Sequence, residues 1–249
     1  INPLGIPIKL KETIISNLSF IENYPDPDYK DLVAAVAKYN CINEDYVIPG
    51  NGATEVIFQI AEAVKPKKSL LLAPTFLEYE RALRRAGSDI EYYMLSEGND
   101  FKIEKEAFLD RLGKEIDFVV ICNPNNPTGQ IIEKEVLVQI LMRCKASGIN
   151  LMIDEAFIEF LDNEEDSSLI DYLDDYDNLF IIRALTKFFA IPGLRIGYGL
   201  MSNHDIKEKI LNSKEPWTIN GFAAISGPVL LSDTKYISKS KEFFKREKK

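Results

Sequence analysis

An α/β domain on a mainly parallel sheet is predicted by three observations. Short apolar runs recur along the 249 residues, helical patterns separate them, and several runs end in a polar loop rich in glycine or proline. The strand-like runs lie at 69–73, 90–95, 118–122, 151–154 and 179–183. Apolar residues spaced by three and four predict helices over 29–39, 76–87 and 136–144. One large domain with helices on both faces of the sheet accounts for this length.

In chain order, the first informative loop is Pro49-Gly50-Asn51-Gly52-Ala53-Thr54-Glu55. Apolar residues at 53, 56, 57, 60, 61 and 64 then mark an amphipathic helix. A glycine-rich turn entering a helix offers free N–H groups and the positive end of the helix dipole, which together suit a phosphate. It is not a dinucleotide fingerprint, because Glu55 stands where the third glycine belongs, and no Walker-type loop occurs.

The run at 118–122 is continuously apolar, as in a strand buried on both faces, and leads into Asn123-Pro124-Asn125-Asn126-Pro127-Thr128-Gly129. That places a polar loop at a strand's carboxyl end, where open α/β sheets bind ligands. The prolines fix the backbone so that the Asn126 amide can face a ligand oxygen. Leu151-Met152-Ile153-Asp154 ends another strand on an acid, which can cap the next element or hold a protonated ring nitrogen by a charge-assisted hydrogen bond. Finally, Lys187 follows Thr186, and Arg195 comes eight residues later. Alone, a lysine is a solvated charge and an Asn-Pro loop an ordinary turn. In combination, a lysine beside a hydroxyl and a guanidinium can hold an aldehyde cofactor by its carbonyl and its phosphate, and the cofactor suggested is pyridoxal phosphate.

These four segments, in this order, resemble the fold-type I pyridoxal phosphate enzymes of the aspartate aminotransferase superfamily. The resemblance is nearest to the histidinol phosphate aminotransferase and threonine phosphate decarboxylase branch, and runs from Asn2-Pro3-Leu4-Gly5 to about Gly227. It implies that Lys187 forms the Schiff base and shuttles a proton, that Asp154 binds the pyridine nitrogen, and that Asn126 binds the ring hydroxyl oxygen. It assigns the phosphate to Ala53, Thr54, Thr186 and Arg195, and ring stacking to Phe76. Tyr24, ahead of Pro25-Asp26-Pro27, would reach the phosphate of the neighbouring subunit in a homodimer. One departure stands out: where relatives carry Asp-x-Ala-Tyr, this chain reads Asp154-Glu155-Ala156-Phe157, so one phenol is missing.

Within the branch, Ile1-Asn2-Pro3-Leu4-Gly5, the segment 154–160 and the segment 186–195 favour the decarboxylase. The implied reaction is decarboxylation of L-threonine phosphate, in cobalamin biosynthesis. The alternative is an aminotransferase of the histidinol phosphate or aromatic amino acid type. The two differ by which bond at the substrate's α-carbon stands perpendicular to the cofactor ring. A non-catalytic module that binds the cofactor and a dinucleotide-dependent oxidoreductase are the readings from other classes.

By the same resemblance, residues 1–30 are expected to form an arm and interface segment and 31–227 the cofactor-binding large domain. Residues 228–249 form a helix leading toward a C-terminal small domain that is apparently absent. In the basic amphipathic tail at 235–249, Ile237, Phe243 and Phe244 need cover. A net charge of −9 argues against a nucleic-acid partner. No run suits a membrane span, and no signal peptide is visible, so a cytoplasmic enzyme is expected. Cys41, Cys122 and Cys144 lack paired spacing and read as core residues. The one histidine, His204, starts a helix at the surface, leaving no metal cluster or Ser-His-Asp triad to assemble. Segment 162–178, with eight acids and no base, is expected as a solvated surface stretch away from the cofactor.

Overall fold

The computed structural model describes residues 1–247. Seven strands, β1 (Val47–Gly50), β2 (Lys68–Ala73), β3 (Asp89–Met94), β4 (Phe118–Cys122), β5 (Asn150–Asp154), β6 (Leu179–Ala184) and β7 (Gly197–Leu200), form one sheet in the order β1-β7-β6-β5-β4-β2-β3. From β3 to β6 all pairings are parallel, and β7 runs antiparallel to both β6 and β1. Two reversals restore the direction, so β1 ends on the same edge as β4, β5 and β6. Register aligns Gly50 with Gly197, Gly197 with Ala184, Ile182 with Asp154 and Asp154 with Cys122. The loops that carry the chemistry therefore leave from one rim.

Among the described residues ten α-helices surround the sheet: α1 (Ile8–Ser16), α2 (Lys30–Asn40), α3 (Ala53–Val64), α4 (Glu78–Arg85), α5 (Lys105–Arg111), α6 (Lys134–Ser147), α7 (Leu185–Phe188), α8 (His204–Ser213), α9 (Gly221–Leu231) and α10 (Thr234–Glu247). Two apolar clusters, one on each sheet face, share the central strands by alternation: Val119, Ile121, Leu151, Ile153 and Ile181 face one side, Phe118, Val120, Met152, Phe180 and Ile182 the other. The predicted α/β architecture is present, and its five expected strands are β2 to β6.

The sequence reading missed β1 and β7, whose composition is poor for strands. Pro49 is tolerated because β1 is an edge. The glycines of β7 are required by α3: a Cβ on Gly197 would lie 2.4 Å from the Ala53 nitrogen, and one on Gly199 2.7 Å from Val56 Cγ1. Helix α3 thus packs directly onto strand backbone, which brings its first turn to the rim.

Two expectations need correction. Cys41 is exposed, in the left-handed residue that ends α2, whereas Cys122 and Cys144 are buried. The acidic segment is not wholly solvated, since Ser168, Leu169 and Leu173 are buried and Glu164 is paired with Lys241 at 2.6 Å. Gly227 lies within α9. Residues 235–247 of the tail lie in α10, the last two falling outside the described residues, and Phe244 finds cover within the chain by packing edge-on against Phe160, ring centres 4.7 Å apart. His204 is exposed at the start of α8, as expected. Among the described residues no helix is long and apolar enough to cross a membrane, and no cluster of acids, cysteines and histidine could hold a metal.

Candidate active site

At the common rim, one cavity is lined by Gly52, Ala53, Thr54, Phe76, Tyr79, Cys122, Asn126, Asp154, Ala156, Phe157, Thr186, Lys187 and Arg195, together with Ile57 and Ala184. Of the nine residues singled out from sequence, eight meet there although up to 142 positions separate them. The exception is Tyr24. It is 80% exposed, packs at a tilt against Trp217 with ring centres 4.7 Å apart, and lines a separate groove of about 720 Å³ between the arm and helices α2 and α9. That exposure excludes core filler within its own subunit.

One wall is built for an anion. Gly52 precedes α3 at φ 81°, a left-handed conformation that suits glycine. A Cβ there would also meet Arg195 Nη2 at 2.7 Å, so the guanidinium lies directly over the turn. Glu55 bends back to accept the Asn51 N–H at 2.7 Å, satisfying an amide outside the helix. The N–H groups of Ala53 and Thr54, at the positive end of α3, remain for a ligand.

Opposite, Asp154 is 4% exposed. Its Oδ1 accepts the Ala156 N–H at 2.9 Å and its Oδ2 the Tyr79 hydroxyl at 2.6 Å. Burial raises its pKa above the ordinary carboxylate value, with the Glu155 charge adding to it; the two donors and the Lys187 charge across the cavity pull the other way. Burial likewise pushes the Cys122 thiol up to about 12, so it is no nucleophile here. Lys187 sits on α7, a single turn that leaves β6 at its carboxyl end.

The 123–129 loop is held by Asn125, whose Oδ1 accepts the Thr75 hydroxyl at 2.9 Å and whose Nδ2 donates to Pro74 O and Thr128 Oγ1. This ties the loop of Asn126 to the loop of Phe76. Phe76 packs edge-on against Tyr79 at 5.5 Å. Phe157 presents a bare ring to the cavity where the resembled family has a phenol. Sequence reasoning missed Tyr79 and Asn125. For Tyr79 a signal existed: three positions after Phe76 at a helix start, it shares that residue's face.

The donor set suits a phosphorylated aldehyde with a basic ring nitrogen. It has an amine for the carbonyl, a buried carboxylate for the ring N–H, a carboxamide for a ring oxygen and a cationic cradle for the phosphate.

The profile of the aminotransferase class I and II family matches residues 6–249. The threonine-phosphate decarboxylase of Salmonella typhimurium is 40% identical over 94% of this chain, and the chain spans 64% of its length. The solved histidinol-phosphate aminotransferase of Clostridium acetobutylicum superposes with a TM-score of 0.90 at 37% identity, over 100% of this chain and 72% of its own. That of Sinorhizobium meliloti, solved in complex with pyridoxal-5'-phosphate, shares the fold at a TM-score of 0.85 and 20% identity, over 96% of this chain and 64% of its own.

Proposed function

Because the chain belongs to the aminotransferase class I and II family, we propose that it holds pyridoxal phosphate at this rim and decarboxylates a phosphorylated amino acid. The substrate we assign is L-threonine phosphate, and the role is in cobalamin biosynthesis. The observation that carries the cofactor reading is the convergence of Lys187, Asp154 and the Gly52–Arg195 cradle on one cavity. The 40% identity to a threonine-phosphate decarboxylase supports the choice of reaction.

When bound, pyridoxal phosphate supplies a conjugated electron sink for the pair released at the substrate's α-carbon. Lys187 would engage its carbonyl carbon and later carry a proton to the substrate carbon. Asp154, kept from water, would hold the ring N–H by a charge-assisted bond. Arg195, Thr186 and the first amides of α3 would fix the phosphate, Phe76 would cover the ring, and Asn126 would hold the ring oxygen that the missing phenol at 157 leaves to it. In a homodimer, Tyr24 of a second copy would complete the phosphate site.

An aminotransferase acting on histidinol phosphate is the second reading, favoured by the 37% identical structural neighbour. A product assay separates the two. Threonine phosphate should yield carbon dioxide and aminopropanol phosphate, whereas amino transfer from histidinol phosphate to a keto acid would support the alternative. Purified protein should show the visible band of lysine-bound cofactor, and Lys187→Ala should abolish it. A borohydride-trapped adduct that persists in this variant would remove Lys187 from the role.

A further inference from the structure

Lys187 stands on a helix of only four residues, Leu185–Phe188. A single turn does not hold itself, because nucleation is costly and the last carbonyls lack partners within the helix. Here the residues that follow serve Leu185 O, Thr186 O and, at 3.3 Å from the Ala190 N–H, Lys187 O, and the amino-terminal segment adds partners to Lys187 O and Phe188 O. The backbone N–H of Asn2 donates to Lys187 O at 3.0 Å, and Asn2 Nδ2 donates to Phe188 O at 2.8 Å. The second Nδ2 proton goes to Ser240 Oγ on α10 at 2.9 Å, and Asn2 Oδ1 accepts the Leu4 N–H at 3.0 Å. Asn2 is 2% exposed and all its polar groups are used. Tyr236, also on α10, adds hydroxyl bonds to Gly5 O at 2.7 Å and, more loosely, to Phe188 O at 3.5 Å.

We propose that Asn2 is a positioning residue for Lys187: it caps the turn that carries the lysine and fixes that turn against α10. Among the described residues no other side chain joins the amino-terminal segment, the lysine turn and α10 by hydrogen bonds that are all shorter than 3.1 Å. A general packing role would need only an apolar side chain of similar volume. A role in placing the lysine needs the Nδ2 donor, since without it Phe188 O keeps only the Tyr236 hydroxyl at 3.5 Å and the turn would be free to re-form around other partners.

The inference rests on the cofactor reading above, and two ligands separate the two. Pyridoxal phosphate needs the lysine; pyridoxine 5'-phosphate has the same ring and phosphate but no aldehyde, so it reports the rest of the site. In Asn2→Ala, pyridoxal phosphate should bind about tenfold more weakly, the scale of one or two buried hydrogen bonds, while pyridoxine phosphate binds as before. The pH midpoint of the visible band should move as well. Asn2→Leu, which keeps the volume, should behave in the same way and covers the case in which the smaller side chain costs folding. Equal weakening of both ligands, no change in either, or loss of fold in both variants would overturn the role of Asn2 alone. Failure of the unaltered chain to bind pyridoxal phosphate would instead remove the cofactor reading, and this role with it.

Discussion

Glu159 sets how stability should depend on pH. It follows Ile158 in the short turn after Phe157, is 1% exposed, and neither carboxylate oxygen has a hydrogen-bond partner. The cation nearest to hand, Arg183, is already committed: its Nε and Nη2 donate to Glu155 Oε2 at 3.0 and 2.8 Å, and its Nη1 donates to Asn40 at 2.9 Å. Glu164, Glu155 and the phenols of Tyr39 and Tyr198 also face this region. Burial, reinforced by the neighbouring carboxylates and only partly offset by Arg183, pushes Glu159 up to about 8 from an ordinary 4.5. Between those values the folded chain binds a proton that the unfolded chain has released. Stability is therefore fully present below the unfolded value and is lost as pH rises through the folded one. At roughly 1.4 kcal/mol per pH unit within that window, the loss from pH 5 to pH 9 is roughly 4 kcal/mol. Asp154 is displaced in the same direction, so the comparison of variants isolates Glu159. Urea unfolding across pH 5 to 9 should show a steep fall in the unaltered chain and a much flatter one in Glu159→Gln. Parallel falls in the two proteins would refute the assignment.

Three further outcomes follow from the site. Tyr79→Phe removes one of two donors to Asp154, so the carboxyl should protonate at higher pH, read by infrared titration of the ligand-free chain against Asp154→Asn; an unchanged midpoint would show the hydroxyl to be idle. Gly197→Ala should destabilise the chain by about 1–3 kcal/mol in a urea titration and weaken phosphate-containing ligands, because its methyl lands 2.4 Å from backbone that cannot rotate away; wild-type stability would mean that α3 moves freely off the sheet. Mixing Tyr24→Phe and Lys187→Ala subunits should restore one site per heterodimer, measured as cofactor absorbance that appears at concentrations too low to fill the Tyr24→Phe homodimer. No recovery between folded partners would place Tyr24 outside the neighbour's site.

Much of the site was legible because its parts are local. A glycine turn before an amphipathic helix, an acid ending an apolar strand and a lysine after the next strand are patterns within ten residues, and parallel strands must deliver their ends to one rim. Strands β1 and β7 were not legible, since Pro49 and the glycines at 197 and 199 read as loop until α3 is laid across them. Cys41 misled because a cysteine's usual burial says nothing of a helix end that faces water.

The sequence by itself determined the α/β architecture, the order of the loops and the residue types offered to a phosphorylated aldehyde. Only the tertiary structure decided which side chains support them. Tyr79 reaches Asp154 across 75 positions, Asn2 caps the turn of Lys187 across 185, and Glu159 is left without a partner because Arg183 is taken by Glu155. The physical reason is that periodicity records which face of an element is apolar. The pairing of buried polar groups depends on which elements become neighbours, and that is settled only when the chain has closed on itself.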